Sequence, residues 1–204
     1  MSLANPAAFF DLLRAGLLGP ALSPGEVDGC DAILGAFEGS PLADAAYALG
    51  TAFLETGGTM QPIKEWGGPK YFFKMYDIQG SRPAKARELG NLVPGDGARY
   101  AGRGYPQVTG RNNYALAEKL FGIPFITDPD QMLKPEPAAR VMAHFMKGGL
   151  FTGKKLSDYL PRVGKASRDE FRQARRVING QDRADAVAGF ALETQDALSA
   201  GGWA

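Results

Sequence analysis

The chain has 204 residues, a net charge of +1, and charged and apolar fractions of 22% and 45%. These proportions are those of an ordinary globular protein, and the near-zero charge gives no broad electrostatic basis for binding nucleic acid. Cys30 and His144 are each the single residue of their type. This excludes an intramolecular disulfide, a cysteine metal cluster and a His-rich zinc site. No apolar run approaches the roughly 20 residues that a membrane-spanning helix needs, so we expect no integral membrane segment.

The sequence predicts three N-terminal helices, because the same capping pattern occurs three times. At residues 5–6, 23–24 and 40–41 an asparagine or serine precedes a proline, which places a capping side chain before a proline at the first helical position. Ser23 is also followed three residues later by Glu26, the spacing of a capping box. Short connections between these helices predict antiparallel neighbours in a helical core.

The third helix, at residues 45–58, is the central one. Its apolar residues recur at helical spacing on both sides, so we expect it to be covered on both faces. Glu55 falls in its last turn, beside Phe53 and Leu54. The negative end of the helix dipole and the apolar neighbours both disfavour a charged carboxylate. A carboxyl group that keeps its proton can act as a general acid; the alternative is an ordinary solvated glutamate.

Residues 57–111 contain many glycines and aromatics and show no long helical period. We predict an irregular excursion with a small β-hairpin, and a short extended segment at residues 105–109. A loop of this length inside a compact domain is usually functional. Aromatic rings beside carboxylates suit a sugar-binding cleft, although they could also form a satellite core. The glycine spacing at residues 95–114 does not predict a phosphate-binding loop, because no Gly-Lys-Ser/Thr follows it.

The second half returns to helices. Periodic apolar residues and glycine or proline boundaries predict helices at residues 112–122, 135–147, 167–179 and 182–198, with a loop-rich link at residues 150–165. Ser167 and Glu170 have the spacing of another capping box. The glycine-rich tail after residue 200 is expected to be loosely held.

Three segments resemble one known family. Residues 53–58 (FLETGG) are similar to the His-Glu-Thr-Gly motif of family 19 glycoside hydrolases, with Leu54 in place of the histidine. Residues 102–114 (GRGYPQVTGRNNY) are similar to that family's Gly-Arg-Gly-x-x-Gln-Leu-Ser/Thr block, which Asn-Tyr follows. Residues 177–183 (VINGQDR) are similar to its Ile-Asn-Gly-Gly segment and the arginine after it. The three segments occur in the family's order.

The resemblance implies a mainly α-helical, lysozyme-like fold, and we expect one catalytic domain over residues 1–204 with residues 1–40 packed on its core. It implies cleavage of β-1,4 bonds next to N-acetylated sugars, with inversion and without a metal or organic cofactor. The sequence of residues 58–65 resembles that of the phage and prophage endolysin branch, and the lack of disulfides is also similar. Members of this branch cut peptidoglycan. We also expect a monomer without a secretory signal, made in the host cytoplasm and reaching the periplasm or cell wall at lysis.

The resemblance also assigns roles to individual residues. Glu55 matches the general acid, and Thr109 matches the hydroxyl that helps to position the attacking water. The matches to residues that line the sugar cleft are Asn179 and Arg183, which also support the carboxylates, and the cleft contacts Tyr105 and Gln107.

The second carboxylate is less well defined by the motifs. An inverting hydrolase needs a base about 6.5–9.5 Å from its acid, with room for a water molecule. Glu65 fits the endolysin-like wording, whereas Asp77 lies where plant enzymes of the family hold their base. We favour Glu65 and keep Asp77 as the alternative. Two other functions also stay open, a chitinase and a non-catalytic glycan-binding module of the same fold.

Overall fold

A computed structural model describes residues 3–203, and this part of the chain is mainly helical. In chain order the elements are α1 (Pro6–Ala15), α2 (Pro24–Ala36), α3 (Leu42–Glu55), β1 (Ile63–Lys64), α4 (Pro69–Tyr76), α5 (Pro83–Glu88), α6 (Asp96–Arg99), β2 (Arg103–Gly104), α7 (Arg111–Phe121), α8 (Pro135–Gly148), α9 (Arg168–Ala174) and α10 (Ala184–Ala200), with 3-10 helices at Pro129–Leu133, Leu156–Asp158 and Arg175–Val177. The mainly α fold class and the small β element predicted from the sequence are confirmed.

The chain divides into two compact units. The first comprises Met1–Gln61 and Ala139–Ala204, and the second comprises Pro62–Ala138, so that the boundary falls within α8. Within residues 3–203, no helix is both long enough and apolar enough to cross a lipid bilayer. In the same range, no group of three or more His, Cys, Asp or Glu side chains is arranged to hold a metal ion.

The first unit is built around α3. Ten consecutive residues of this helix, residues 43–52, are buried, which confirms that it is covered on both faces. Its most extensive helix partner is α10, and the two backbones meet closely at Gly50. A methyl group on Gly50 would lie 2.7 Å from the Ala191 backbone nitrogen, so only glycine allows this approach. The early helix α1 also packs against α10, and α2 packs against α3.

The predicted caps hold in three of four places. Asn5 accepts a hydrogen bond from the Ala8 N–H at 3.1 Å, and the boxes at Ser23 and Ser167 are both complete. The prediction for Ser40 is wrong: α3 begins one residue later, Pro41 occupies the capping position, and no side chain caps the helix. Pro41 is extended there, at φ −51° and ψ 145°, so it precedes the helix instead of starting it.

The C-terminal tail also differs from the expectation. Trp203 is half-buried, bridges to Leu3 in a short antiparallel pair, and donates its indole N–H to the Ser40 carbonyl at 3.0 Å. An amphipathic ring with a satisfied N–H is a strong anchor, and for this reason the glycines before it do not make the tail loose. Ala204 lies outside the described residues.

The second unit contains more helix than the sequence predicts. Residues 57–111 include α4, α5 and α6, each too short to show a helical period. β1 pairs antiparallel with β2, with Ile63 opposite Gly104, and Arg103 also pairs with Val108 across a tight turn. Residues 105–109 therefore do not form the predicted extended segment. Gln107 stands in this turn at φ +59°.

Candidate functional site

In the first unit, Glu55 is the last residue of α3 and is held there by a defined helix ending. The Gly58 N–H bonds to the Phe53 carbonyl at 2.9 Å and the Gly57 N–H to the Leu54 carbonyl at 3.3 Å, which is the Schellman arrangement. Both glycines have positive φ, +62° and +89°. The two glycines after Glu55 thus fix where the helix ends and how the chain leaves it. They thereby also fix the position of Glu55 in the last turn.

Thr56 strengthens this ending from within. Its hydroxyl donates to the Ala52 carbonyl at 2.8 Å and accepts from the Met60 N–H at 3.0 Å, and both bonds are buried. One side chain therefore links a carbonyl of the last turn, which also accepts the Thr56 N–H, to the amide of the chain that leaves the helix.

The Glu55 carboxylate faces a buried cation. Arg175 Nη1 lies 2.8 Å from Glu55 Oε1, and the exposed fractions of the two side chains are 1% and 21%. The contact is an ion pair and not a well-aligned hydrogen bond, since Nη1 has no hydrogen-bond partner of acceptable angle among the described residues. Arg175 Nε donates to the Asp182 carbonyl at 2.8 Å, which holds the guanidinium in place.

The sequence interpretation missed Arg175. It expected a carboxylate among apolar groups, and the structure adds a positive charge next to it. A signal was present, because Arg175 follows Phe171 by four residues and therefore continues the buried face of α9. A cation on a buried face needs an anionic partner.

Tyr47 stacks on the ring of Phe171, with centroids 6.5 Å apart. Burial raises the pKa of Tyr47 to about 12, so this phenol is neutral at neutral pH and adds no charge to the surroundings of Arg175.

The residues of the third motif lie close to Arg175 in the chain. The Asn179 N–H donates to the Arg175 carbonyl at 2.9 Å, and the Asn179 side chain is exposed. Arg183 is exposed as well and takes a left-handed conformation, φ +54°, directly before α10. The cation paired with Glu55 is thus Arg175, whereas the sugar-cleft roles of Asn179 and Arg183 stay predictions.

In the second unit, Glu65 follows β1 and is held by neutral donors. The Tyr76 hydroxyl donates to Glu65 Oε1 at 2.7 Å, and the Gly102 N–H donates to Oε2 at 3.2 Å. The backbone is paired too, with the Glu65 N–H bonded to the Gly102 carbonyl at 2.8 Å. Burial and, to a smaller extent, the hydrogen bond to Glu65 raise the pKa of Tyr76. Tyr76 therefore keeps its proton and acts as a hydrogen-bond donor to this carboxylate.

Three side-chain oxygen atoms pack closely around Gly102, which is buried. A methyl group at this position would lie 2.7 Å from Gln107 Oε1, 3.0 Å from Glu65 Oε2 and 3.1 Å from Thr109 Oγ1. The Thr109 hydroxyl donates to the Gln107 carbonyl at 3.1 Å, and its lone pairs remain able to accept. Gln107 Oε1 is buried and has no hydrogen-bond partner among residues 3–203. Of the three acceptors, Glu65 Oε2 already receives the Gly102 N–H, whereas Gln107 Oε1 has no donor within the described part of the chain.

The rest of the second motif builds the frame around this cluster. The Arg103 guanidinium is buried and donates to the Arg99 and Ala101 carbonyls and to the Tyr114 hydroxyl, at 3.0 to 3.2 Å. Asn113 Nδ2 donates to the Thr109 carbonyl at 2.8 Å. Arg103, Asn113 and Tyr114 therefore support the backbone around the cluster. These contacts explain their place in the motif without a role in the chemistry.

Tyr105 and Asp77 are placed differently from the cluster. Tyr105 is completely buried and has no surface exposed to a sugar in this structure, so its role as a contact stays a prediction. Asp77 is 1% exposed. Its Oδ2 accepts from the Gly95 and Gly97 N–H groups at 2.8 and 3.2 Å, and its Oδ1 accepts from the Gln79 N–H at 3.1 Å. Both oxygens of Asp77 are thus used to close backbone turns.

Solved structures similar to this chain include chitinases. Chitinase C from Streptomyces griseus HUT6037 aligns with a TM-score of 0.57 and 18% identity, over 95% of this chain and 75% of the enzyme. A mutant of chitinase C aligns at 0.56 and 20% identity with the same coverage. A bacterial family 19 chitinase aligns at 0.54 and 16% identity over 95% of both chains.

This chain has the family 19 chitinase fold. At these identities the alignments establish the architecture and leave the substrate and the individual site residues to other arguments. No protein-family model matches the sequence, and no curated protein matches it either. The family 19-like fold confirms the coarse part of the resemblance seen in the three motifs.

Proposed function

We propose that the protein is a peptidoglycan-degrading glycoside hydrolase of the muramidase-like endolysin type, which cleaves β-1,4 bonds of the glycan strand with inversion. The observation that carries this proposal is the convergence of Glu65, Thr109 and Gln107 oxygens at Gly102. Three side-chain acceptors that meet beside one glycine suit a water molecule in contact with them, because water has two protons to donate. A carboxylate among the three gives one of those protons a destination.

Glu65 acts as the base in this mechanism. It takes a proton from the water while Thr109 Oγ1 and Gln107 Oε1 orient the molecule, so that an oxygen lone pair is directed at the sugar. Asp77 is a poorer choice, because its two oxygens already accept three backbone N–H groups and proton uptake would weaken those bonds. Tyr76 and the Gly102 N–H hold Glu65 in one orientation without adding positive charge.

Glu55 acts as the acid and protonates the glycosidic oxygen as the bond to the leaving sugar breaks. In the structure the Glu55 carboxylate pairs with the guanidinium of Arg175. Transfer of a proton from Glu55 to the glycosidic oxygen requires that this ion pair open when a sugar chain binds. Its poor hydrogen-bond alignment is compatible with such a change, because fewer directional bonds have to be broken.

The decisive experiment is Glu55→Gln, with Glu88→Gln as the matched control. Glu88 is 67% exposed and pairs only locally with Lys85. We expect Glu55→Gln to keep its helical circular dichroism and to lose about 10²-fold or more of the rate of reducing-end release from purified peptidoglycan. The control should release reducing ends at the wild-type rate. Wild-type-like release by Glu55→Gln would remove this residue from the mechanism.

A chitinase is the second candidate, favoured by the chitinases among the similar structures. Mass analysis of fragments from peptidoglycan and from chitin separates the two, because it gives both the bond cleaved and the new end sugar. Release from chitin alone would replace the peptidoglycan assignment. Binding to either polymer without any new reducing end would instead support a non-catalytic glycan-binding module.

A further inference from the structure

A polar cavity lies in the first unit, at the end of α3 that is remote from Glu55. Its volume is about 350 Å³, and its walls include Ser40, Asp44, Lys147, Leu156 and Arg162. This size is at the small end of ligand sites. Asp44 and Glu55 are eleven residues apart on one helix, which separates them by about 16 Å at 1.5 Å per residue.

Asp44 is the unusual residue of this cavity. Its side chain is 1% exposed, and its Oδ2 accepts from Arg162 Nη1 at 3.1 Å. Its other oxygen, Oδ1, is buried without a hydrogen-bond partner among the described residues. A buried carboxylate oxygen without a donor is costly, and burial raises the pKa of Asp44 despite the adjacent Arg162. A hydrogen-bond donor that reaches Oδ1 would satisfy this oxygen, and a cationic donor suits a carboxylate best.

Two cations stand at the same cavity. The Arg162 side chain is 60% exposed and uses one of its five N–H groups on Asp44. Lys147 Nζ lies over the ring of Phe37, 4.7 Å from its centroid. The walls carry two acidic and two basic side chains, Glu38 and Asp44 against Lys147 and Arg162. A ligand with separated charges and no net charge matches this arrangement better than a simple anion or cation.

We propose that this cavity binds the zwitterionic head group of an α-amino acid. The ammonium group donates to Asp44 Oδ1, and the carboxylate pairs with Arg162 and Lys147, since a guanidinium binds a carboxylate through two parallel N–H groups. Such a head group can come from a free amino acid or from the side-chain end of diaminopimelate in an uncrosslinked wall peptide. The second source alone rests on the proposed function.

The test is calorimetric titration of the whole protein. The probes are free meso-diaminopimelate, a disaccharide-tetrapeptide muropeptide that contains diaminopimelate, and the corresponding lysine-type muropeptide, whose side chain ends in an ammonium group alone. We expect free diaminopimelate to bind and the lysine-type muropeptide not to bind. Binding of the diaminopimelate muropeptide identifies the wall peptide as a source, and binding of the free amino acid alone identifies the free source.

Variants then assign the binding to the cavity. Asp44→Asn and Arg162→Gln should each weaken diaminopimelate binding about tenfold or more. Arg162 is largely exposed, so that variant tests the cavity even if Asp44→Asn does not fold. Lys165→Gln is the control, because Lys165 is 53% exposed, pairs with Asp196 and lies outside the cavity. No binding of any probe at about 10 mM, or equal binding by Arg162→Gln and wild type, would overturn the proposal.

Discussion

The two units of this protein hold their candidate catalytic carboxylates in opposite ways. Glu55 in the first unit ends a long buried helix and faces the buried cation of Arg175. Glu65 in the second unit follows a two-residue strand and receives hydrogen bonds from a phenol and an amide. An ion pair stabilises a charge without fixing a direction, whereas hydrogen bonds fix the orientation of each oxygen. The second arrangement suits a base that must aim at one water molecule.

The largest expected effect distinguishes the two candidate bases of the second unit, Glu65 and Asp77. We expect Glu65→Gln to lower kcat for glycan cleavage about 10²–10⁴-fold, because the water at Gly102 loses its proton acceptor, while the thermal unfolding midpoint changes little. Reducing-end assays at saturating substrate measure this. A folded Asp77→Asn protein with the larger rate loss would make Asp77 the base.

Removal of the Asp77 carboxylate should act on stability. Asp77→Ala leaves three backbone N–H groups unpaired around residues 79–97, and we expect the free energy of unfolding to fall by about 3 kcal/mol. Asp77→Asn keeps one carbonyl acceptor and should lose less. Urea titration checks the order of the three proteins; equal stability of Asp77→Ala and wild type would contradict a structural role.

Arg175→Gln tests the ion-pair side of the comparison. The variant leaves Glu55 without its buried cation, and we expect a loss of about 1–3 kcal/mol in the free energy of unfolding. Glu55→Gln in the Arg175→Gln background should then cost less than it does in wild type, since the pair is already broken. Additive losses in this double-mutant cycle would show that the two side chains are not energetically coupled.

The smallest change tests the close packing of the three oxygens around Gly102. Gly102→Ala places a methyl group within 3.1 Å of three oxygens, and we expect a loss of about 1–3 kcal/mol of stability with a fall in kcat. Gly35→Ala is the control, because nothing lies within 4 Å of that position in α2, and alanine there should stabilise by about 0.5–1 kcal/mol. Unchanged kcat in Gly102→Ala would refute the water position.

The sequence by itself determined the helices that have strong local signals. The capping boxes at Ser23 and Ser167 and the glycines after Glu55 are local devices whose partners lie within a few residues, so that spacing alone reveals them. The long apolar periods of α3, α8 and α10 are of the same kind. The three motifs, read as a resemblance, also indicated the family 19-like fold.

Only the tertiary structure decided which groups surround each carboxylate. Arg175 is 120 residues from Glu55 in the chain, and Gly102 is 37 residues from Glu65, so no local spacing connects them. The short helices α4 to α6 were hidden because fewer than three turns show no period. The prediction of a loosely held tail was wrong for a related reason. Trp203 donates to the Ser40 carbonyl, which is 163 residues away in the sequence. Contacts between distant segments depend on packing, which composition and periodicity do not specify.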